Sequence, residues 1–272
     1  MDDKSVSIKT SLGLLTIPRD KIAIINFVNA QNIAPSAPAP KPAPPGMIYI
    51  PVGWFWMGCS PSDERCYKDE RPYHRVYLDA YFIDKNDVTV KEYSKCVKTG
   101  ICKKPSAGKY CNYTLSGKGN HPVNCVDWDQ ANAYCNWVGK QLPTEAEWEK
   151  AARGTDGRIY PWGNDWDASK VCLNPSSTCA AGSYPQGASP YGVMDMAGNV
   201  MNWCVDLYYR YYYSYTPDHN PVNTEWGKYR VLRGGSWGNG DQTNLRLSNR
   251  VNDSPTDGSL DLGFRCVRQD SK

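Results

Sequence analysis

Apolar and polar residues alternate in the N-terminal part of the chain, over residues 5–17 and again over residues 22–27. Because successive side chains of a strand point to opposite faces, this alternation predicts a small β-meander over residues 1–29. Two or three short strands bury little apolar surface. We therefore expect this element to pack on the main domain or to pair with another chain, and self-association through the N-terminal segment is one hypothesis.

Residues 30–46 form a tract dominated by proline and alanine. Such a composition is typical of a semi-rigid, polyproline-like linker. A globular domain is predicted over residues 47–268. Runs rich in aromatic and β-branched residues predict strands in it, at 47–52, 54–57, 75–78 and 81–83. We expect the first two to pair as a β-hairpin.

Three helices are predicted by capping boxes, in which Thr or Asp is followed three residues later by Glu or Gln. The first begins at Thr89. The second begins at Asp127 and ends at Gly139, and its apolar residues follow helical spacing. The third begins at Thr144 and ends near Gly154. Turns and aromatic residues dominate the rest, so much ordered loop is expected.

Composition argues against two classes of partner. The formal net charge is +3 at pH 7, and no block of Lys and Arg is present. We therefore expect neither nucleic acid nor direct membrane insertion. The chain has 10 Trp and 19 Tyr but only 4 Phe. Amphipathic aromatic residues lie where one side is apolar and the other wet, so many should be near the surface, unless they stabilise a loop-rich interior.

Eleven cysteines are present, and four pairs of them are close in sequence: Cys59 with Cys66, Cys96 with Cys102, Cys111 with Cys125, and Cys172 with Cys179. These spacings lack the tight C-x-x-C pattern of zinc sites, so local disulfides are predicted. An odd number leaves one thiol free in a monomer, and Cys204 is the candidate.

Neither a signal peptide nor a transmembrane segment is predicted, since the apolar run at 22–28 is too short to span a bilayer. Disulfides in such a chain fit two localisations: the cytoplasm of a thermophile, or export by a route that the sequence does not show. The sequence leaves both open.

Small polar residues crowd the segment 237–261, between the motifs at 233–237 and 263–266. Asn, Asp, Ser, Thr and Gly tolerate loops and offer hydrogen-bond donors and acceptors. The segment contains no Cys, His or Lys that could act as nucleophile, base or soft-metal ligand. We interpret it as a binding surface on a fixed frame; the alternative is that these residues simply face solvent.

An ordered series of motifs resembles the formylglycine-generating-enzyme (sulfatase-modifying factor) domain over about residues 46–268. The motifs are GMIYIP (46–51), WMG (56–58), DERP (69–72), DVT (87–89), HPVN (121–124), LPTEAEW (142–148), YPWG (160–163), GVMDMAGNV (192–200), RGGSW (233–237) and GFR (263–265). The resemblance implies an α+β, C-type-lectin-like fold of low regular secondary structure.

Oxidases of this family bind copper through two cysteines, whose positions here are Asn239 and Asn244. Copper(I) prefers thiolates over amides, so no copper is expected and the chain is not expected to be an enzyme. Iron-dependent relatives use a three-histidine site that comes from an additional domain. The three histidines of this chain, His74, His121 and His219, are scattered in predicted loops. The alternative is a sulfatase-modifying-factor-like oxidase or another family enzyme.

The variable proteins of diversity-generating retroelements resemble this chain more closely in type, because they end in a hypervariable segment framed in the same way. Their adenine-directed mutagenesis converts Asn codons to codons for Asn, Asp, Ser, Gly, Thr or Tyr, and the segment 237–261 has this composition. The resemblance implies a non-catalytic protein that binds its ligand through Trp237, Asn239, Asp241, Asn244, Asn249, Asn252, Asp253 and Asp257.

The expected partner is a protein or another macromolecule, with Trp237 and the tyrosines of 208–215 as apolar anchors. So many consecutive tyrosines cannot all be buried. A carbohydrate-binding lectin is a third hypothesis, although the calcium-chelating Glu-Pro-Asn motif is missing.

Two further features are implied by the resemblance. A family disulfide maps to Cys135 and Cys266, where it would close a very long loop and stabilise the fold by a few kcal/mol. A family calcium site maps to oxygen ligands, which suit that ion, at Asp195, Gly198, Val200 and Asn202. Asn202 replaces a Glu of the family, so affinity for the ion should be reduced.

Overall fold

The computed structural model describes residues 5–10, 13–18, 42–174 and 176–270, and the chain forms two units, residues 1–39 and 40–272. In the first unit β1 (Ser5–Thr10) pairs antiparallel with β2 (Gly13–Pro18). The third strand predicted over 22–27 and most of the predicted linker, 30–41, lie outside the described residues. The division of this region into meander and linker stays a prediction.

The second unit is an α+β domain, as expected, in which small sheets surround a buried helix. Its strands are β3 (Met47–Ile50), β4 (Gly53–Met57), β5 (His74–Leu78), β6 (Tyr81–Asp84), β7 (Met201–Leu207), β8 (Arg230–Arg233), β9 (Val251–Asp253), β10 (Leu262–Gly263) and β11 (Val267–Gln269). The largest sheet has the order β10–β7–β8–β9, with β10 parallel to β7 and the other pairs antiparallel. Beside it lie the antiparallel sheet β11–β6–β3 and the pair β4–β5.

The strands β3 and β4 do not pair with each other, so the predicted hairpin is wrong. β3 pairs with β6, where Ile48 lies opposite Ile83, while β4 pairs with β5. Pro51 has no backbone N–H to continue the first ladder. Gly53 has a φ of +131°, a backbone conformation that favours glycine. The chain therefore leaves one sheet at this point and enters the next.

Three helices begin at the capping boxes that the sequence predicted. They are α1 (Val90–Lys98), α2 (Trp128–Trp137) and α3 (Glu145–Arg153). In each, the preceding Thr or Asp accepts a hydrogen bond from the backbone N–H three residues further on. α3 is buried along its whole length and contacts β4, β5, β7 and β8. Because α3 carries several charged residues, it places ion pairs inside the domain.

Five disulfides cross-link the domain. All four predicted local pairs are confirmed: Cys59–Cys66, Cys96–Cys102, Cys111–Cys125 and Cys172–Cys179. The fifth, Cys135–Cys266, is also confirmed and joins α2 to the residue just before β11. All eleven cysteines lie in the described part of the chain, and Cys204, buried in β7, is free as predicted. This number of disulfides is typical of proteins that fold in an oxidising compartment.

Within the described residues, no helix has both the length and the apolar character needed to cross a membrane.

Candidate ligand-binding groove

An open groove of about 650 Å³ lies between the turn after Cys66 and the segment 244–252. It brings together three of the predicted ligand-binding residues, Asn244, Asn249 and Asn252. Concave surfaces of this size are where ligands bind preferentially. The lining residues are Tyr67, Lys68, Asp69, Tyr208, Arg210, Asn244, Asn249, Arg250, Val251 and Asn252.

One wall of the groove includes the 3-10 turn Lys68–Glu70, which buried ion pairs hold in place. Arg246 donates two hydrogen bonds of 2.6 Å to Glu70 and one of 2.9 Å to Asp63. These three side chains are almost inaccessible to solvent. Burial alone would lower the pKa of Arg246, but the two carboxylates raise it above its usual value. The guanidinium therefore stays charged and holds the turn.

The opposite wall is held by Arg233 of β8. Its Nη1 donates to the carbonyl oxygens of Ser248, at 3.1 Å, and Asn249, at 2.9 Å. Its Nη2 donates to a carboxylate oxygen of Glu149 on α3. Buried hydrogen bonds from a charged donor are strong, so Arg233 fixes the backbone of this wall from the interior of the domain.

Arg250 connects the two walls. It pairs with both carboxylate oxygens of Glu145 on α3, at 2.7 and 2.8 Å, and donates to the backbone carbonyl of Asp69 at 3.0 Å. Burial would raise the pKa of Glu145, but Arg250 and Arg233 bring it below the usual value. The charges that hold the groove therefore persist at neutral pH, and the groove is preorganised.

Six residues that line the groove were not predicted as ligand contacts from the sequence: Tyr67, Lys68, Asp69, Arg210, Arg250 and Val251. Lys68 and Arg210 are exposed, whereas Asp69 accepts a hydrogen bond of 2.8 Å from the hydroxyl of Tyr208. Burial and the nearby Asp69 raise the pKa of Tyr208, so its hydroxyl stays protonated. A signal was available for the first wall, because Lys68 directly precedes the DERP motif.

Trp237 and Asn249 were expected to contact a ligand through their side chains, but both residues are buried. The ring of Trp237 packs 5.6 Å from that of Tyr110, and its Nε1 donates to the carbonyl of Leu260 at 3.4 Å. The amide of Asn249 donates to the carbonyl of Asn244 at 3.0 Å. Trp237 is therefore not an exposed anchor, and Asn249 shapes the groove rather than offering a free amide.

Four of the predicted residues hold turns within their own segment. The hydrogen bonds run from Ser236 N–H to Asn239 (2.6 Å), Thr243 N–H to Asp241 (2.8 Å), Ser254 N–H to Asp253 (2.7 Å) and Ser259 Oγ to Asp257 (2.8 Å). None of the four lines the groove. Contact of these side chains with a ligand stays a prediction.

The positions of the family's copper ligands do not fit copper(I) in this chain. Asn239 uses its amide oxygen to accept from the backbone N–H and hydroxyl of Ser236, and Asn244 lines the groove. Neither side chain supplies the soft thiolate that copper(I) prefers.

Asn202 does not fit the role of a calcium ligand. Its amide oxygen accepts hydrogen bonds from an indole N–H and from Nε of Arg265, the latter at 2.8 Å. A guanidinium in contact with the proposed ligand atom repels a cation. Calcium at the remaining positions, Asp195, Gly198 and Val200, stays a prediction.

The three histidines do not form a common site, because each forms a hydrogen bond with a different neighbour. His74 bonds the carbonyl of Pro72, His121 the hydroxyl of Thr178, and His219 the carboxylate of Asp218.

Within the described residues, one group of potential metal ligands is close together: Asp63, Cys66 and Glu70. Its sulfur belongs to a disulfide, and its carboxylates are engaged by Arg246.

A second concave surface, which we call the aromatic cleft, has a volume of about 390 Å³ and is lined by Tyr209, Tyr215, Trp226 and Gly227. The Trp226 ring lies 5.8 Å from Tyr209 and 6.0 Å from Tyr215. Tyr215 is 64% exposed and Trp226 43%. The tyrosine run thus reaches the surface in part, as expected, but Trp226 was missed because a lone tryptophan carries no positional signal.

Comparisons with known proteins identify the family to which the domain is similar. The sulfatase-modifying factor enzyme 1-like domain matches residues 33–270. The chain is 36% identical over 249 residues to serine/threonine-protein kinase pkn1 of Chlamydia caviae, covering 84% of this chain and 39% of that protein. It is 32% identical over 294 residues to the formylglycine-generating enzyme of Streptomyces coelicolor, covering 86% and 93%. The chain thus spans about two fifths of the length of the first relative.

Solved structures agree on the architecture. PvdO from Pseudomonas aeruginosa has a TM-score of 0.71 at 26% identity, over 82% of this chain and 94% of that one. Treponema denticola variable protein 1 has a TM-score of 0.60 at 24% identity, over 82% and 94%, a likeness of fold alone. The predicted formylglycine-generating-enzyme-type fold is confirmed.

The expectation that the chain is not an enzyme is overturned by its relatives. Four proteins named formylglycine-generating enzyme are 29–32% identical over 81–87% of this chain. Such identity points to enzymatic family members, and the replacement of two copper ligands by Asn239 and Asn244 does not outweigh it. The chain belongs to the sulfatase-modifying factor enzyme 1-like domain family.

Proposed function

We propose that the chain recognises a peptide segment of a protein or other macromolecule in the groove, in the manner of a variable protein of a diversity-generating retroelement. One observation carries the proposal: Asn244 and Asn252, both from the polar segment, line a groove of about 650 Å³. Among the described residues, the side-chain amides of these two residues have no hydrogen-bond partner. Each amide is therefore available to donate to and accept from a peptide backbone.

The frame of the groove is separate from the side chains that it displays. Arg233 holds the carbonyls at 248 and 249 from inside the domain, and Arg246 holds the opposite turn. A substitution at Asn244 or Asn252 leaves these bonds in place, which is what a diversified surface requires. The likeness of fold to Treponema denticola variable protein 1 supports the same interpretation.

A display library of random peptides about 12 residues long, panned on the protein, tests the proposal. Two variants make a matched pair. Asn252→Trp fills the groove with an indole, whereas Thr256→Trp places the same indole on an exposed residue of the same segment outside the groove. Selected peptides should bind the wild type and Thr256→Trp equally, and Asn252→Trp about tenfold more weakly. Equal binding to all three proteins, or no enrichment of any peptide, would overturn the proposal.

Modification of a peptide held in the same groove is the second candidate function. The 32% identity to a formylglycine-generating enzyme favours it. A cysteine-containing peptide, incubated with the protein with and without added copper and then analysed by mass spectrometry, separates the candidates. Conversion of the cysteine to formylglycine supports the modifying activity. A peptide that binds in the groove and keeps its mass supports recognition.

A further inference from the structure

We infer that the groove takes an acidic peptide segment, whose carboxylates lie against Lys68 and Arg210 while a neighbouring apolar side chain enters the aromatic cleft. This inference rests on the proposed function and adds the chemical class of the ligand. Lys68 and Arg210 both line the groove and both are exposed. Neither has a carboxylate partner among the described residues.

The other charged side chains of the groove have partners inside the protein. Arg250 is paired with Glu145, and the carboxylate of Asp69 accepts a hydrogen bond from the hydroxyl of Tyr208, which does not cancel the charge of the carboxylate. The two cations without a carboxylate partner among the described residues, Lys68 and Arg210, outnumber this one carboxylate, so the surface offered to a ligand carries net positive charge. A ligand with carboxylates at this position gains attraction, whereas one with ammonium groups is repelled.

The groove and the aromatic cleft are adjacent because consecutive residues line them. Tyr208 and Arg210 line the groove, while Tyr209, between them, lines the cleft. The guanidinium of Arg210 lies 5.8 Å from the ring centre of Tyr211, beside the same surface. One extended segment can therefore place a carboxylate at Arg210 and the side chain two residues further on in the cleft, since alternate side chains of a strand lie on the same face.

The cleft supplies the apolar half of the site. Tyr215 and Trp226 are well exposed for residues of their size, and burial of such rings under a ligand is favourable. Exposed aromatic residues beside adaptable amides such as Asn244 and Asn252 form the combination found in binding surfaces of antibodies. The ligand class is thus an acidic segment that carries at least one large apolar side chain.

Three fluorescein-labelled peptides of about 12 residues test the inference by fluorescence anisotropy. They share a central Phe-Leu pair and differ in flanking residues, which are Glu, Gln or Lys. The Glu peptide should bind about tenfold more tightly than the Gln peptide, the Lys peptide should bind most weakly, and added salt should reduce the difference.

Variants assign the effect to residues. Lys68→Gln and Arg210→Gln should each weaken the Glu peptide by about 2- to 5-fold and leave the Gln peptide unchanged. Lys95→Gln, on the exposed surface of α1, removes the same charge elsewhere and should have no effect. Tyr215→Ser should weaken all three peptides by about the same factor, because the cleft contacts the shared apolar pair.

Equal affinity for the Glu and Gln peptides, or a Lys68→Gln/Arg210→Gln double variant that binds the Glu peptide as tightly as the wild type, would overturn the inference. If Asn252→Trp still weakens peptide binding in that case, recognition in the groove stands and only the acidic class is wrong. If Asn252→Trp has no effect on any peptide, the proposed function fails as well.

Discussion

Removal of the Cys135–Cys266 disulfide should cost this domain more stability than removal of any of its local disulfides. The bond joins residues 131 apart in sequence, and constraining a loop of that length in the unfolded chain is worth about 5 kcal/mol. Both cysteines are fully buried, so alanine is the suitable replacement because a serine hydroxyl would be left without a partner. The double variant is Cys135→Ala with Cys266→Ala.

The matched control is Cys96→Ala with Cys102→Ala, which removes a disulfide between two cysteines that are also buried. Here the residues are only 6 apart in sequence, so the same relation gives about 2 kcal/mol. The two double variants remove the same atoms from similar surroundings. The difference of about 3 kcal/mol between them therefore reports the loop length alone.

Urea denaturation of the oxidised proteins, followed by tryptophan fluorescence, measures both losses, and thermal unfolding should show shifts of about 10 °C or more against about 5 °C. Equal losses for the two variants, or a larger loss for the local pair, would refute the loop-length argument. In that case local contacts around α1 would matter more than the link between α2 and the C-terminal segment.

Three further predictions concern stability. Arg246→Gln leaves Glu70 and Asp63 buried without their cation and should lower the free energy of unfolding, measured by urea titration, by about 3–5 kcal/mol. The control is Arg158→Gln, which should cost less than about 1 kcal/mol because the partner Asp156 is largely exposed. Similar losses for the two variants would contradict this prediction. Thr144→Ala removes the cap of α3 and should cost about 1 kcal/mol in the same assay, against almost nothing for the exposed Thr256→Ala. Burial lowers the pKa of His74 from 6.5. The unfolded chain therefore binds a proton at higher pH than the folded one, so stability falls as the pH drops below about 6.5. His74→Phe should reduce the loss between about pH 7.5 and about pH 5.5, and an unchanged loss would contradict the assignment.

Local features of this fold could be predicted from sequence because their causes are local. In each capping box the Thr or Asp accepts a hydrogen bond from a backbone N–H only three residues further on. Thr89, Asp127 and Thr144 therefore mark the helix starts correctly. The four short disulfides follow from the spacing of their cysteines. The link between Cys135 and Cys266 required the family resemblance, since no local pattern connects residues so far apart.

Long-range packing decided the features that the sequence did not show. A short apolar strand such as β3 does not specify its partner, so its pairing with β6 depends on the whole sheet. Trp237 was expected to be an apolar anchor because it begins the segment 237–261 that the resemblance implies is displayed, but the fold places Tyr110 against its ring. The groove combines Lys68 and Arg210, which are distant in sequence, and no periodicity relates them.

An NMR titration of the ¹⁵N-labelled protein with the Glu peptide tests most directly whether the groove is the ligand-binding site. Amide shift changes should concentrate at residues 67–69, 208–215 and 244–252 and should be lost in Asn252→Trp. Changes centred elsewhere, for example around the exposed Trp54 and Trp56 of β4, would contradict this assignment.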